Sequence, residues 1–292
     1  MYSEISSNKR NSVILAIIII ALIILLGWTF DQIYGTGQSY GGVILAVIIS
    51  LAMTAISYFS GDKIALAVSG AKPLAHDENK YVYHLVENLC IAAGLPMPKI
   101  YIIEDMAINA FAAGRKPELA SVALTRGAIE KLTNEELEGV IAHELSHVKN
   151  YDIRFMTLVA VMAGALVILA DIFRHARWRS SSNDRGNGNI LVLVGVVLAL
   201  LSPLIAELIK LAVSRKREYL ADASGALLTR YPEGLASALE KIGAENRSLA
   251  RASQATAHLY IANPFSGKKL ATIFSTHPPV EERVKRLRGM GR

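Results

Sequence analysis

Long stretches without a single charge alternate along this chain with stretches of ordinary mixed polarity. Val13 to Phe30 (VILAIIIIALIILLGWTF) carries no charge and is almost solid isoleucine and leucine. At about 1.5 Å per residue, a helix of this length nears the ~30 Å hydrocarbon thickness of a bilayer. Trp28 and Phe30 close the run, where aromatic rings favour the membrane–water interface. A second uncharged run, Gly41 to Phe59, follows a ten-residue loop, Asp31 to Tyr40. Two such runs predict two transmembrane helices rather than a buried core hairpin. A removable signal peptide does not fit, because no small-x-small site follows the first run.

Two later runs are less regular. Met156 to Ala170 is short and is followed by Asp171, while Ile190 to Ala206 contains Pro203 and precedes Glu207. The loop between them carries Arg174, Arg177, Arg179 and Arg185. If both runs spanned, that loop would lie outside, against the positive-inside tendency. A hairpin on the membrane face avoids this, and either arrangement returns the chain to the side it left.

Between Ser60 and Phe155 the pattern becomes that of a folded α+β unit. Val82, Val86, Leu89 and Ala93 recur at helical spacing, with Asp77 as the expected cap and Gly94 as the stop. Lys99 to Glu104 (KIYIIE), Ala110 to Ala113 and Ser121 to Thr125 read as strands. Thr133 with Glu136 three residues on is a capping box, opening a helix over residues 134–150. The pattern divides the chain into a two-helix anchor (1–60), a first folded part (61–155), two hydrophobic segments (156–213) and a second folded part (214–292).

Composition sharpens this division. Hydrophobic residues make up 52% and charged ones 19%, against roughly 45–50% and ~25% in soluble domains. Cys90 is the only cysteine, which excludes a disulfide framework. The net charge of +6 comes from Lys and Arg that flank apolar runs and form no aromatic-interleaved patch, so nucleic acid is not the expected partner. Lys9 and Arg10 precede the first run, Lys63, Lys72 and Lys80 follow the second, and the loop between has neither type. The expectation is a multi-pass protein of the cell membrane, its partner the lipid bilayer, with the N-terminus and the folded parts cytoplasmic.

Inside the capped helix stands His143-Glu144-Leu145-Ser146-His147. Histidines at i and i+4 share a helix face and can reach one zinc ion, while the glutamate between them can serve a water as base. Gly and His at 150 and 153 would mark a metzincin, but Asn150 and Ile153 stand there. A third ligand must come from further on, and the acids to weigh are Asp152, Asp171, Glu207, Glu218 and Asp222. Glu218 and Asp222 lie i, i+4 on a predicted helix, so one can bind metal while the other orients a histidine. The plainer reading pairs Glu218 with its basic neighbours Arg215 to Arg217 on the surface.

HELSHVKNYD, SRKREYLAD and THPPVEERVKRL, behind the hydrophobic pair, resemble the HtpX-type membrane zinc metalloproteases, relatives of the CAAX prenyl proteases. The resemblance implies a cytoplasmic zincin-like domain with one Zn²⁺ per chain on His143, His147 and Glu218. It implies Glu144 as catalytic base and Asp222 as partner of a ligand histidine. It also implies that the stretch Asn109 to Gly114, with Phe111, is a substrate-binding edge strand. His277 and Arg283 are implied helpers in the transition state, although His277 could equally be a turn residue before the last helix. Tyr219 could donate to an oxyanion or simply pack. The implied substrates are polypeptides, in particular misfolded or damaged membrane proteins cleaved as part of stress-related quality control.

Other readings make different demands. An intramembrane protease would put Lys131, Glu135, Glu136, Glu138, Lys149 and Asp152 in hydrocarbon, which is costly. A metal transporter or zinc-stabilised scaffold has no need of Glu144.

Overall fold

The computed structural model describes residues 2–34, 40–179, 214–245, 247–265 and 277–290. The run Ile190 to Ala206 and Arg185 lie outside these residues. Helices α1 (Tyr2–Tyr34) and α2 (Gly41–Val68) both extend past the apolar runs that predict them. Two segments, Ile5–Gln32 and Gly41–Val68, are long and apolar enough to cross a membrane. Their outward faces leave Ile14, Ile17, Ile18, Ile44, Leu45 and Ile48 exposed, as lipid-facing positions would be.

The hairpin is closed by Asp31, whose carboxylate accepts from the Gly42 and Val43 amides at 2.8 and 2.9 Å. It thereby satisfies two of the donors that the first turn of α2 would leave orphaned. Close approach of the pair rests on Gly27, where a Cβ would lie 2.5 Å from the Gly42 carbonyl oxygen.

Helix α3 (Lys80–Ala93) begins at Asn79, whose side chain accepts from Val82 N. Asp77 is therefore not the cap. It lies two residues too early to reach the first-turn amides. Gly94 closes α3 with φ +67°, as expected.

A four-stranded sheet has the order β1-β2-β4-β3. Strand β1 (Ala71–Pro73) pairs antiparallel with β2 (Lys99–Ile103), which runs parallel to β4 (Ser121–Thr125). Strand β3 (Ala110–Ala113) pairs antiparallel with β4 at the edge. The three residues of β1 show no alternation and include a proline, so the pattern could not announce them. Strand β2 stops at Ile103, one residue short of the expected end, because Glu104 turns to a bidentate pair with Arg126 on α4 (Arg126–Lys131).

Helix α5 (Asn134–Lys149) starts at the predicted capping box, with both reciprocal bonds present. A cap contributes about 1 kcal/mol. Each fully buried Leu, Ile or Val contributes about 1.5–3 kcal/mol, so Leu137, Val140, Ile141 and Leu145 decide where the helix sits. Helices α7 (Arg215–Thr229) and α8 (Pro232–Ala244) pack on it from the second part of the chain, and α9 (Val280–Met290) packs on those two. Leu235 and Leu239 share one core with Leu137, Ile141, Val122 and Leu124, so chain segments on either side of residues 156–213 build a single unit.

Helix α6 (Asp152–Arg179) leaves α5 at 86°, after Tyr151 at φ +60°. The run Met156 to Ala170 falls within α6. Its Leu158, Val159, Met162 and Leu166 pack on Leu15, Ile19 and Ile23 of α1, beside the membrane pair.

Candidate active site

The 3.6-residue period puts His143 and His147 one turn apart on the buried face of α5. Their Nε2 atoms are 3.2 Å apart, and neither ring is meaningfully exposed. Helix α7 brings Glu218 to both, with Oε1 3.7 Å from His147 Nε2 and Oε2 3.7 Å from His143 Nε2. That approach depends on Gly225, where a Cβ would lie 3.0 Å from the His143 amide nitrogen.

One ligand atom from each of the three residues lies within 4.8 Å of the other two. Glu218 Oε2 and Glu144 Oε1 are buried without a hydrogen-bond partner among the described residues. Two imidazoles and a carboxylate converging on one point, with a buried oxygen lacking a donor, fit a metal with nitrogen and oxygen ligands. The alternative of Glu218 as an exposed partner of Arg215 to Arg217 is not what the fold builds, since Glu218 is buried.

Each histidine is backed by its own carboxylate. Asp222 Oδ1 faces His143 Nδ1 at 3.0 Å and is itself gripped by Arg283, whose Nε and Nη2 donate at 2.8 and 2.7 Å. Arg283 Nη1 donates to the Ile261 carbonyl, so all of this buried guanidinium is used. Burial alone would raise the Asp222 carboxyl, but the Arg283 charge and hydrogen bonds hold it far below the usual range.

On the other side, Asp152 Oδ2 lies 3.0 Å from His147 Nδ1. Asn8 of α1 donates to Asp152 Oδ1 at 2.6 Å and to the Asn150 carbonyl at 3.0 Å. Sequence reading weighs Asp152 only as a third ligand, yet it stands behind a ligand. Asn8 has no sequence signal at all. The one available clue to Asp152 is an acid just past the helix that carries the histidines. The Tyr151 turn that aims it back is invisible in the pattern.

The metal-free pair of imidazoles titrates asymmetrically. Burial pulls His143 below its ordinary value. Burial also opposes the charged form of His147, but the bond to Asp152 and the Glu218 carboxylate outweigh it and push His147 up to about 9. One proton between two facing nitrogens is the arrangement such contact permits. Glu144, buried beside them, is pushed up to about 7 by that burial, with the neighbouring Glu218 adding to the rise.

The Ala112 backbone of β3 faces the Glu144 carboxylate, which brings the edge strand against the helix that carries His143 and His147. Asn109 is buried and its side chain donates to the Ala262 carbonyl, while Phe111 packs edge-on against Tyr260 at 5.1 Å. The Ala110 carbonyl accepts from Ile261 N at 2.9 Å, so this part of the sheet edge is covered by the chain itself.

His277, just before Pro278 and Pro279, is turned inward, its Nε2 3.9 Å from Glu218 Oε2. Burial lowers His277 to about 4, so it is neutral. Tyr219 points away, bonded to Glu282 and lying under the Arg286 guanidinium at 3.7 Å. His258 is buried against the Met156 carbonyl, and His76 and His84 lie at the surface, all apart from the metal group.

Comparison with known proteins gives a consistent set of likenesses. Residues 76–291 match peptidase family M48. The chain is 45% identical over 290 residues to a protease HtpX homolog of Dictyoglomus turgidum, covering 99% of this chain and 95% of that protein. A homolog of the same description from Tropheryma whipplei is 42% identical over 291 residues, 100% of this chain and 99% of its own. One from Pyrococcus abyssi is 48% identical over 252 residues, 85% and 86% of the two chains. In fold, the chain is similar to the crystal structure of S. mikatae Ste24p, with a TM-score of 0.50, 21% identity, and coverage of 98% of this chain and 67% of that one.

Proposed function

The chain belongs to peptidase family M48, and from that premise we propose that it is a membrane-anchored zinc endopeptidase that cleaves misfolded or damaged membrane proteins at the cytoplasmic face. Membership makes it a metal-dependent, membrane-associated peptidase. The choice of zinc, the ligand set and the substrates are our reading. The observation that carries it is the convergence within 4.8 Å of Glu218 on α7 with His143 and His147, which stand on the helix that also bears Glu144.

The domain division follows. Residues 61–155 and 214–292 form the catalytic unit on the anchor of residues 1–60, and the two hydrophobic segments of residues 156–213, spanning or forming a membrane-associated hairpin, connect its two parts.

His143, His147 and Glu218 would hold one Zn²⁺ per chain. When bound, it would polarise the scissile carbonyl and acidify a water. Glu144 is the base that takes the water's proton and hands it to the leaving amine, a task suited to a carboxyl whose pKa is pushed up to about 7. Asp222 and Asp152 fix the ring orientations of the two histidines, so that each presents Nε2 to the ion. His277, neutral and facing the same point, is the side chain placed to face the oxygen on which charge develops. Arg283 acts one step back, by bracing Asp222. An extended substrate would pair along β3 at its Ala112 end, beside Glu144, because the Ala110 end is already occupied.

The test is the full chain purified in detergent with zinc, given casein as an unfolded substrate and compared with Glu144→Gln. The variant is expected to keep its metal and lose cleavage by about two orders of magnitude or more. Equal cleavage by both would overturn the assignment of Glu144.

A further inference from the structure

A cavity of about 190 Å³ opens between α1, α2 and α6, away from the metal group. Its polar lining includes Ser57, Tyr58, Asp62, Arg115, Arg154 and Thr157. It sits where the apolar runs end, near Lys9 and Arg10 on α1 and Lys63 on α2. In a spanning helix pair this is the depth of lipid phosphates.

Two buried polar atoms in this lining, Arg154 Nε and Ser57 Oγ, have no hydrogen-bond partner among the described residues. Among the described residues, neither Arg115 nor Arg154 forms an ion pair there. Arg115 instead lies 5.1 and 4.9 Å from the Tyr58 and Phe59 rings, and Arg154 lies 5.4 Å from Tyr58. Ring contacts orient a guanidinium without neutralising it, and a buried donor left unsatisfied is costly. Two guanidiniums and a hydroxyl around one cavity call for an anionic acceptor. Asp62 lines the same cavity, so the three charges sum to +1 and suit a singly charged phosphodiester better than a free phosphate dianion. Val13, Ile17 and Leu158 supply an apolar wall for acyl chains.

We propose that this cavity binds the phosphodiester of a membrane glycerophospholipid, held by Arg115, Arg154 and Ser57. The site has a route to the catalytic unit. Gly114, also in the lining, directly follows β3 and donates to Thr157 Oγ1 of α6 at 3.1 Å. A lipid seated there ties the edge strand next to Glu144 to the bilayer surface. The inference does not depend on the protease reading, because binding is measured without turnover.

The experiment is thermal unfolding of the detergent-solubilised full chain titrated with dioctanoyl phosphatidylglycerol or dioctanoyl phosphatidylethanolamine, with native mass spectrometry as a second readout. Saturable stabilisation by either phospholipid is expected, with apparent affinity reduced about 10-fold or more in Arg115→Gln and in Arg154→Gln. Lys63→Gln, which removes an exposed charge outside the cavity, is expected to bind as the parent chain does. Counting bound lipid by mass on the folded fraction keeps the comparison decisive if a variant is less stable. The proposal is overturned if both arginine variants bind lipid unchanged, or if dioctanoylglycerol, which lacks the phosphate, stabilises equally. It is also overturned if inorganic phosphate alone reproduces the whole shift, which would make the cavity a free-anion site.

Discussion

His143 and His147 share one helix face and differ in what stands behind them. Asp222 with Arg283 backs the first, Asp152 with Asn8 the second. The difference has measurable consequences in the metal-free chain. His147 is raised from 6.5 to about 9, so it holds its proton more tightly folded than unfolded. Its contribution to stability is therefore complete below about pH 6.5 and is lost as pH rises through about 9. Thermal unfolding of the metal-stripped chain across that window should show the loss, and Asp152→Asn should flatten it. The same variant should weaken zinc retention by ~10- to 100-fold in chelator competition. Arg283 behaves differently, because it is the cation that keeps Asp222 ionised in the interior. Arg283→Met leaves a buried carboxylate unpaired and should cost about 3–5 kcal/mol, seen as a lower unfolding midpoint. Adding Asp222→Leu should recover part of that loss, since the orphaned charge is then gone.

Helix α1 is predicted as an anchor, but its first turns also hold a residue of the site. Asn8 is buried, four residues ahead of Ser12 and well before the solid apolar run. From there it bonds Asp152 and the end of α5. The anchor and the metal group are thus one packed structure. Asn8→Ala should loosen zinc by up to about 10-fold without altering any ligand. Combined with Asp152→Asn, it should add little, because both act through one bond. Chelator competition on the single and double variants measures this. Helix α5 was fully legible, since a capping box and an i, i+4 pair are local features. The cap of α3 was not, because Asp77 and Asn79 are equally good cap residues and only the observed bond to Val82 separates them.

At the scale of the whole molecule, the metal group assembles from α5 and α7, on opposite sides of residues 156–213. Helix α6 leaves α5 at 86° and runs along the anchor. Residues 214–292 then add to the same core as residues 61–155, so both folded parts are expected on one side of the membrane. With Lys9 and Arg10 ahead of the first apolar run and no Lys or Arg in the turn, that side is expected to be cytoplasmic. Cysteine labelling in intact cells checks it. Cys90 is buried, and burial pushes its thiol up to about 11, so it gives little background. A cysteine at Gln38 should react with an impermeant reagent from outside, and one at Glu78 only after lysis. The reverse pattern would place the catalytic unit outside.

The sequence by itself determined what short-range geometry and composition can carry: two hydrophobic helices, three of the four strands, and two imidazoles one turn apart with a glutamate between them. These depend on helix period, strand alternation and the cost of exposing apolar surface. It also narrowed the third ligand to a handful of acids, with the HELSHVKNYD and SRKREYLAD segments favouring Glu218. Only the tertiary structure decided that Asp152 backs a histidine, that Asn8 reaches it from the anchor, that Arg283 braces Asp222, and that β3 is partly covered by the chain's own residues. Apart from the Asp152–His147 contact, which spans five positions and hangs on the Tyr151 turn, those relations join residues separated by 61 to more than 140 positions. They exist because packing one core aligns the helices at particular crossings, and no periodicity along the chain encodes where two distant segments will cross.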